Sequence, residues 1–286
     1  MKQNEKINKK DVAIVVPLSF KDEFTESENI SLRHLEHFLG DYTKYFLIPR
    51  KRDFSYPGFK IKKLPNRYFG SAQAHNFLLG SKFFYQQFEK YRYIFIYHLD
   101  SLVFSDRLLY WCRMGYDFIA APWINGPDLP WLKEEGVGNG GFNIRKVYGF
   151  LNYLNSNVHW IDPEEYWEKT KTTKTGIERT IRFLKKILLK CRSRNNVNHH
   201  IQYYISQNKN EDLFWQLYKN KYYPDFNIAP VDVALGFGFE ANVKKCYERN
   251  NYQLPFGCHA WEKYDKEFWK PYLLTDLKQE SIQSNI

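Results

Sequence analysis

The stretch Tyr93–Tyr97, YIFIY, is wholly aromatic or β-branched, and His98, Leu99 and Asp100 follow it at once. An apolar run this short reads as a strand covered on both faces, the situation of a strand inside a parallel sheet with helices above and below. Side chains at i and i+2 of a strand share a face, so His98 and Asp100 are expected to point the same way. Polar side chains at the C-terminal end of a buried parallel strand lie where open α/β sheets hold their ligands. Capping a strand end and satisfying a nearby loop is the plainer use of the same pair.

The flanking sequence agrees with such a sheet. DVAIVVPLSF reads as a first strand ending at Pro17, KYFLIP as a second, and FKIKKLP as a short third. Between the first two, ENISLRHLEHFLG places Leu32, Leu35, Phe38 and Leu39 on one helical face and stops at Gly40. Ser71 is a suitable N-cap for a helix running through SAQAHNFLLGSKFFYQQFEKY to the YIFIY strand. RLLYWCRMG and KVYGFLNYLN read as helices, DFIAAPW as a strand, and GVGNGGFNIR as a glycine-rich turn feeding another strand. NEDLFWQLYK opens a further helix, whereas VALGFGFE and LPFGCHAW read as short strands or loops. Strands alternating with helices predict an α/β fold with a mostly parallel sheet flanked by helices.

With 286 residues, the chain suffices for one large core. The expected organisation is a disordered leader over 1–10, a single domain over 11–270 and a polar tail over 271–286. No apolar stretch is long enough to span a bilayer, and the N-terminal apolar run ends at Pro17, too early for a signal peptide. Cys112, Cys191, Cys246 and Cys258 show no metal-finger spacing, and free buried thiols in a reducing cytoplasm are expected. The net charge is +10, yet ten Lys or Arg and a single acidic residue, Glu178, lie between Lys169 and Arg194. The rest is near neutral, which argues against a nucleic-acid-binding face. This basic stretch is expected as a helical insertion over about 169–195.

Three further constellations stand out. Glu211–Asp212 lies at a helix start, where carboxylates either complement the helix dipole or do chemistry. His259 sits in a glycine-containing loop with Lys263 four residues on, as a structural hydrogen-bonder or a ligand. Gly138, Gly140 and Gly141 permit close approach to a ligand or serve a bulge, and their spacing is not that of a dinucleotide fingerprint.

Taken in order, HLD, GNGGFNIR, NED and GCH resemble the GT-A type of nucleotide-sugar glycosyltransferase, with a Rossmann-like sheet. FGSAQAHNFLLGSKFF ahead of YIFIYHLD is similar to the helix preceding the acidic motif of such enzymes, with Gly70, Ala74 and Asn76 at matching places. The nearest likeness is to a bacterial family of uncharacterised GT-A-like domains with a Q-x-D strand end, an APW segment and a GNGG stretch, over roughly 12–261.

That resemblance implies transfer of a sugar from a nucleoside diphosphate sugar to a hydroxyl of a glycan or lipid-linked acceptor, as in bacterial cell-surface polysaccharide synthesis. It implies Mn²⁺ or Mg²⁺ held by Asp100 and His259, with Lys263 beside the diphosphate. The chain departs from D-x-D at His98, which either ligates the ion or hydrogen-bonds the donor ribose. Asp212 is implied as general base, with Glu211 hydrogen-bonding a sugar. Asn139, Gly140 and Gly141 would line the donor sugar, Trp123 would stack on a ring or pack the core, and Pro17, Arg67 and Asn76 would contact the nucleotide. A metal-dependent hydrolase of a sugar ester or phosphate, and a non-catalytic carbohydrate-binding scaffold, are the competing readings.

Over Ile177 to Cys191, Ile177, Ile181, Leu184, Leu188 and Cys191 fall on one side of a helix, and Arg179, Arg182, Lys186 and Lys190 on the other. Such a helix either packs its stripe on the core with its charges solvated or lies on an anionic membrane surface. The second use makes the enzyme cytoplasmic and peripheral on the membrane's inner face; an anionic glycan acceptor is a competing use of the charge.

Overall fold

The computed structural model describes residues 7–20, 23–171 and 176–274. Its strands are β1 (Val12–Pro17), β2 (Thr43–Pro49), β3 (Phe59–Leu64), β4 (Tyr93–Tyr97), β5 (Leu102–Val103), β6 (Phe118–Ala120), β7 (Pro122–Trp123), β8 (Gly136–Val137), β9 (Phe142–Lys146), β10 (Gly238–Phe239) and β11 (Gly257–Cys258). The first six helices are α1 (Glu26–Leu39), α2 (Ala72–Leu79), α3 (Lys82–Gln86), α4 (Leu108–Arg113), α5 (Val147–Leu154) and α6 (Pro163–Thr170). There follow α7 (Gly176–Leu189), α8 (Val197–Ser206), α9 (Glu211–Tyr222), α10 (Val231–Phe237), α11 (Val243–Arg249) and α12 (Lys266–Trp269).

The central sheet has six strands in the order β3-β2-β1-β4-β9-β6. The pairings β3–β2, β2–β1 and β1–β4 are parallel, while β9 runs antiparallel to both its neighbours. Strand order reverses between β1 and β4, so a crevice opens beyond their C-terminal ends, at Pro17 and His98.

Alternation along the strands assigns each apolar side chain to one of two layers. Ala13, Val15, Ile94 and Ile96 pack with Leu78, Phe84, Phe150, Ile201 and Trp215 from α2, α3, α5, α8 and α9. Ile14, Val16, Phe95 and Tyr97 pack on the opposite face with Leu35 of α1 and Trp111 of α4. YIFIY is thus buried on both faces, and covering it takes helices from both halves of the chain.

Several boundaries differ from the sequence expectation. The helix expected from Ser71 onward is two helices. Gly80, against the Ile201 and Ile205 methyls of α8, closes α2, and Ser81 Oγ then accepts from Phe84 N–H to cap α3. DFIAAPW is also split, with β6 in the central sheet and β7 paired with β8. The VALGF part of VALGFGFE is helical in α10, which buries Ala234, Leu235 and Phe237, and only Gly238–Phe239 is strand.

Both ends of the domain extend further than expected. Ile7 is buried, and its carbonyl accepts from Arg113, so residues 7–10 are not leader. Leu273 and Leu274 are buried, and Leu274 N–H donates to Nε2 of buried His34, whose Nδ1–H donates to Val103 O. Apolar side chains at each end thus gain from burial; residues 1–6 and 275–286 lie outside the described residues. All four cysteines are free, but Cys191 is exposed rather than buried. Among the described residues no helix is long and apolar enough to cross a membrane.

Candidate functional site

A cleft of about 1310 Å³ opens at the switch point between β1 and β4. Pro17 and His98 stand at its floor, and Asp100, Asp212, Glu240 and His259 line its walls.

His98 and Asp100 do not share a strand face, because β4 ends at Tyr97 and residues 98–101 turn, with Ser101 N–H donating to His98 O. The turn still brings both side chains together, and His259 joins them from a small sheet. There β11 pairs antiparallel with β5 and parallel with β10, so His259 and Glu240, each one residue past its strand, emerge side by side. Ligand atoms of His98, Asp100 and His259 all lie within 4.8 Å of one another.

The surroundings of the three side chains orient them. His259 Nδ1–H donates to Glu240 Oε1 at 2.7 Å, which leaves Nε2 facing Asp100 Oδ1 at 3.2 Å. That Nε2 is buried without a properly directed hydrogen bond. His98 turns Nδ1 to the same spot, and its Nε2 lies 3.0 Å from His75 Nε2. With Nδ1 on a cation, His98 would carry its proton on Nε2 and donate to His75. A methyl group on Gly141 would occupy the space of both His259 Nε2 and His98 Nδ1, so this position accepts only glycine while the cluster stands.

The charges are correspondingly displaced. Burial opposes a proton on His259, but the Asp100 and Glu240 carboxylates outweigh it and hold the imidazolium up to about 10. Burial would raise Asp100, yet His259 and His98 hold it well below the usual carboxylate range. Burial pushes His98 down to about 4 and His75 well below its ordinary value. His98 Nδ1, His259 Nε2 and an Asp100 oxygen, three donors converging on one spot, fit a divalent cation, which would take the place of the proton on His259 Nε2. The Glu240–His259 and His75–His98 contacts supply the outer support that ligating histidines usually have. A donor set this rich in nitrogen suits Mn²⁺ or Zn²⁺ better than Mg²⁺.

The glycine-rich turn forms the next wall. Asn139 is buried, its Oδ1 accepts from Gly141 and Phe142 N–H at 2.8 Å, and Gly141 O accepts from His98 N–H at 2.8 Å. Alternation along β9 then sends Asn143 and Arg145 to one face. Arg145 is fully buried, donates to Asn143, to Tyr85 and to both carboxylate oxygens of Glu211, and lies against both the Phe118 and Phe150 rings. Trp215 Nε1–H also donates to Glu211.

Glu211 is therefore not a sugar-binding group. Its carboxylate is fully buried and engaged by Arg145 and Trp215, and this locks the start of α9 onto β9. The next residue, Asp212, lines the cleft. Burial first, and the Glu211 charge second, push its carboxyl up to about 7.

Pro17, Asn76, Asn139, Gly140, Gly141, Lys263 and Trp123 line the same cleft. Asn76 spans to Asn210 at the start of α9, and Trp123 lies so close to Gly138 that a Cβ there would overlap its ring. Arg67 is not among the lining residues. Its guanidinium folds over the Tyr68 ring at 4.8 Å and donates to the Tyr68 hydroxyl. Sequence reasoning missed Glu240 and His75, which support the cluster, and Trp131, exposed on the cleft wall. Only Glu240 carried a readable signal, as the polar end of a short apolar strand.

A family model described as "Protein of unknown function (DUF5672)" matches residues 58–259, well over half of the chain. The chain belongs to the DUF5672 family. The matched span of this DUF5672 chain runs from β3 to His259 and takes in the cluster, the glycine turn and α9. No curated protein matches it in sequence. Among solved structures it is similar to the apo form of glycosyltransferase GlyE from Streptococcus pneumoniae TIGR4, at 13% identity and a TM-score of 0.42, over 92% of this chain and 60% of that one. A second structure of GlyE gives 14% identity and a TM-score of 0.41, over 94% and 61%. The chain thus spans about three-fifths of the length of that protein.

Proposed function

We propose that the chain is a glycosyltransferase on a GT-A-like scaffold, moving a sugar from a nucleoside diphosphate sugar to an acceptor hydroxyl. The observation that carries this reading is the pairing, in one cleft at the sheet's switch point, of the His98–Asp100–His259 cluster with a separate carboxylate, Asp212. A divalent cation held by those three side chains would supply the positive charge that stabilises a departing diphosphate.

The protein's own groups account for the rest. The bond from the sugar's anomeric carbon to the diphosphate oxygen breaks as a bond to the acceptor oxygen forms, and the acceptor's proton passes to Asp212. A carboxyl pushed up to about 7 is matched to that task, holding a proton well while still being ionised in part at neutral pH. Lys263, whose ammonium lies 4.6 Å from the centre of the Tyr264 ring, adds positive charge beside the diphosphate. Asn139, Gly140 and Gly141 present a wall free of large side chains to the donor sugar, and Pro17 and Asn76 lie where the nucleotide would enter.

The test is calorimetry with a panel of nucleoside diphosphate sugars, with and without Mn²⁺. Metal-dependent binding of one of them is expected, and Asp100→Ala should abolish the metal dependence and lower cation affinity by at least about 10-fold. Unchanged affinity in the variant would remove the cluster from the mechanism. Cation binding without binding of any nucleotide would instead favour a metal-dependent hydrolase.

A further inference from the structure

Helix α7 is turned the opposite way from the first of the two arrangements its sequence allows, in which the stripe packs on the core. Its polar side, not its apolar side, meets the protein. Lys186 and Lys190 both pair with Glu164 of α6, at 2.5 and 3.2 Å, and Arg182 donates to the Tyr166 hydroxyl. Lys186 also lies over the Trp167 ring, against which Phe183 packs edge-on. The α6 carboxylate and aromatic rings thus take up the basic face, and the apolar stripe turns outward. Ile177 is 80% exposed, Ile181 58%, Leu184 54% and Leu188 60%.

Four large aliphatic side chains in one row, each more than half exposed, form a contiguous apolar strip that monomeric surfaces rarely leave bare. Its surroundings are cationic. Residues 163–194 hold ten Lys or Arg against four Glu. One Glu164 carboxylate serves two ammonium groups, Lys185 is exposed at the edge of the stripe with its ammonium 5.2 Å from the centre of the Tyr166 ring, and Arg194 is exposed just beyond the helix. Two copies of this face would bring like charges together, which disfavours self-association through it.

We propose that the outward stripe of α7 docks on an anionic lipid surface, with Ile177, Ile181, Leu184 and Leu188 entering the headgroup–acyl boundary and the exposed Lys185 and Arg194 beside it meeting the headgroups. The chemistry is that of an interfacial amphipathic helix, in which apolar burial and attraction to anionic lipid add. It does not depend on the sugar-transfer reading, since α7 contributes no residue to the cleft.

Flotation of the full chain with phosphatidylcholine vesicles, with and without phosphatidylglycerol, tests it. Binding is expected only to the phosphatidylglycerol vesicles and should fall as salt is raised. The exposed pair Leu184→Asp/Leu188→Asp should lower binding by about 100-fold or more with an unchanged melting temperature. Lys185→Glu should lower it by about 10-fold. Failure of the wild-type chain to float at low salt would overturn the proposal, as would binding that survives the leucine substitutions. Light scattering decides the rival occupant: a dimer lost in the same variants, without vesicle binding, would assign the stripe to a second copy.

Discussion

Asp212→Asn is expected to leave metal-dependent donor binding intact and to lower turnover by about 10²–10⁴-fold, the usual contribution of a positioned general base. The substitution keeps the shape of the side chain and the bond that Oδ1 accepts from Leu213 N–H, so a loss of turnover reports the missing base rather than a moved helix. The pH profile of the wild-type chain supplies a second readout. Asp212 must be ionised to accept a proton, and its carboxyl is pushed up to about 7, so kcat/KM should climb through neutral pH and level off above it.

Stability should run the other way. The folded chain holds the Asp212 proton to a higher pH than the unfolded chain does, so stability falls as pH rises from the ordinary carboxylate range through about 7. Asp212→Asn removes that cost. The variant should be more stable than the wild type at pH 8, by roughly 1–3 kcal/mol, and no different near pH 4. Equal stability of the two proteins at both pH values in urea titrations would show that Asp212 ionises normally, and normal turnover in the variant would place the base elsewhere.

The parts of the site that could be read from sequence are those whose chemistry is local. A histidine and an aspartate directly after a buried strand, and a histidine directly after another short apolar stretch, advertise themselves as strand ends. The cluster unites them because β5, which follows Asp100, pairs with β11, which precedes His259. What was illegible depends on pairing between distant segments. Nothing in SAQAHNFLL marks His75 as the residue that will orient His98, since its partner is fixed only when α2 packs beside β4. Glu211 and Asp212 are adjacent acids, and only the register of Arg145 on β9 decides that one is consumed structurally and the other left to the cleft. Helix α7 shows the same limit most plainly. Its periodicity specifies two faces correctly, yet which face turns inward was set by a carboxylate and two aromatic rings on α6.

Because Glu211 is the sole carboxylate that buried Arg145 touches among the described residues, its removal is expected to be the most destabilising substitution near the site. Glu211→Ala strands a guanidinium that has no access to water, and uncompensated buried charges of this kind cost about 3–5 kcal/mol. It also leaves Trp215 Nε1–H without its acceptor and unfastens α9 from β9. Urea denaturation should register the full loss in the single variant. Adding Arg145→Met should recover most of it, because an apolar side chain against the Phe118 and Phe150 rings needs no counter-ion. The milder Glu211→Gln separates stability from chemistry. It removes the like charge beside Asp212 and leaves Arg145 less fully neutralised, and both changes favour the ionised form of Asp212. The acidic limb of the pH–rate profile should therefore move to lower pH in Glu211→Gln. A limb that stays in place would mean that burial alone, without Glu211, sets the proton affinity of Asp212.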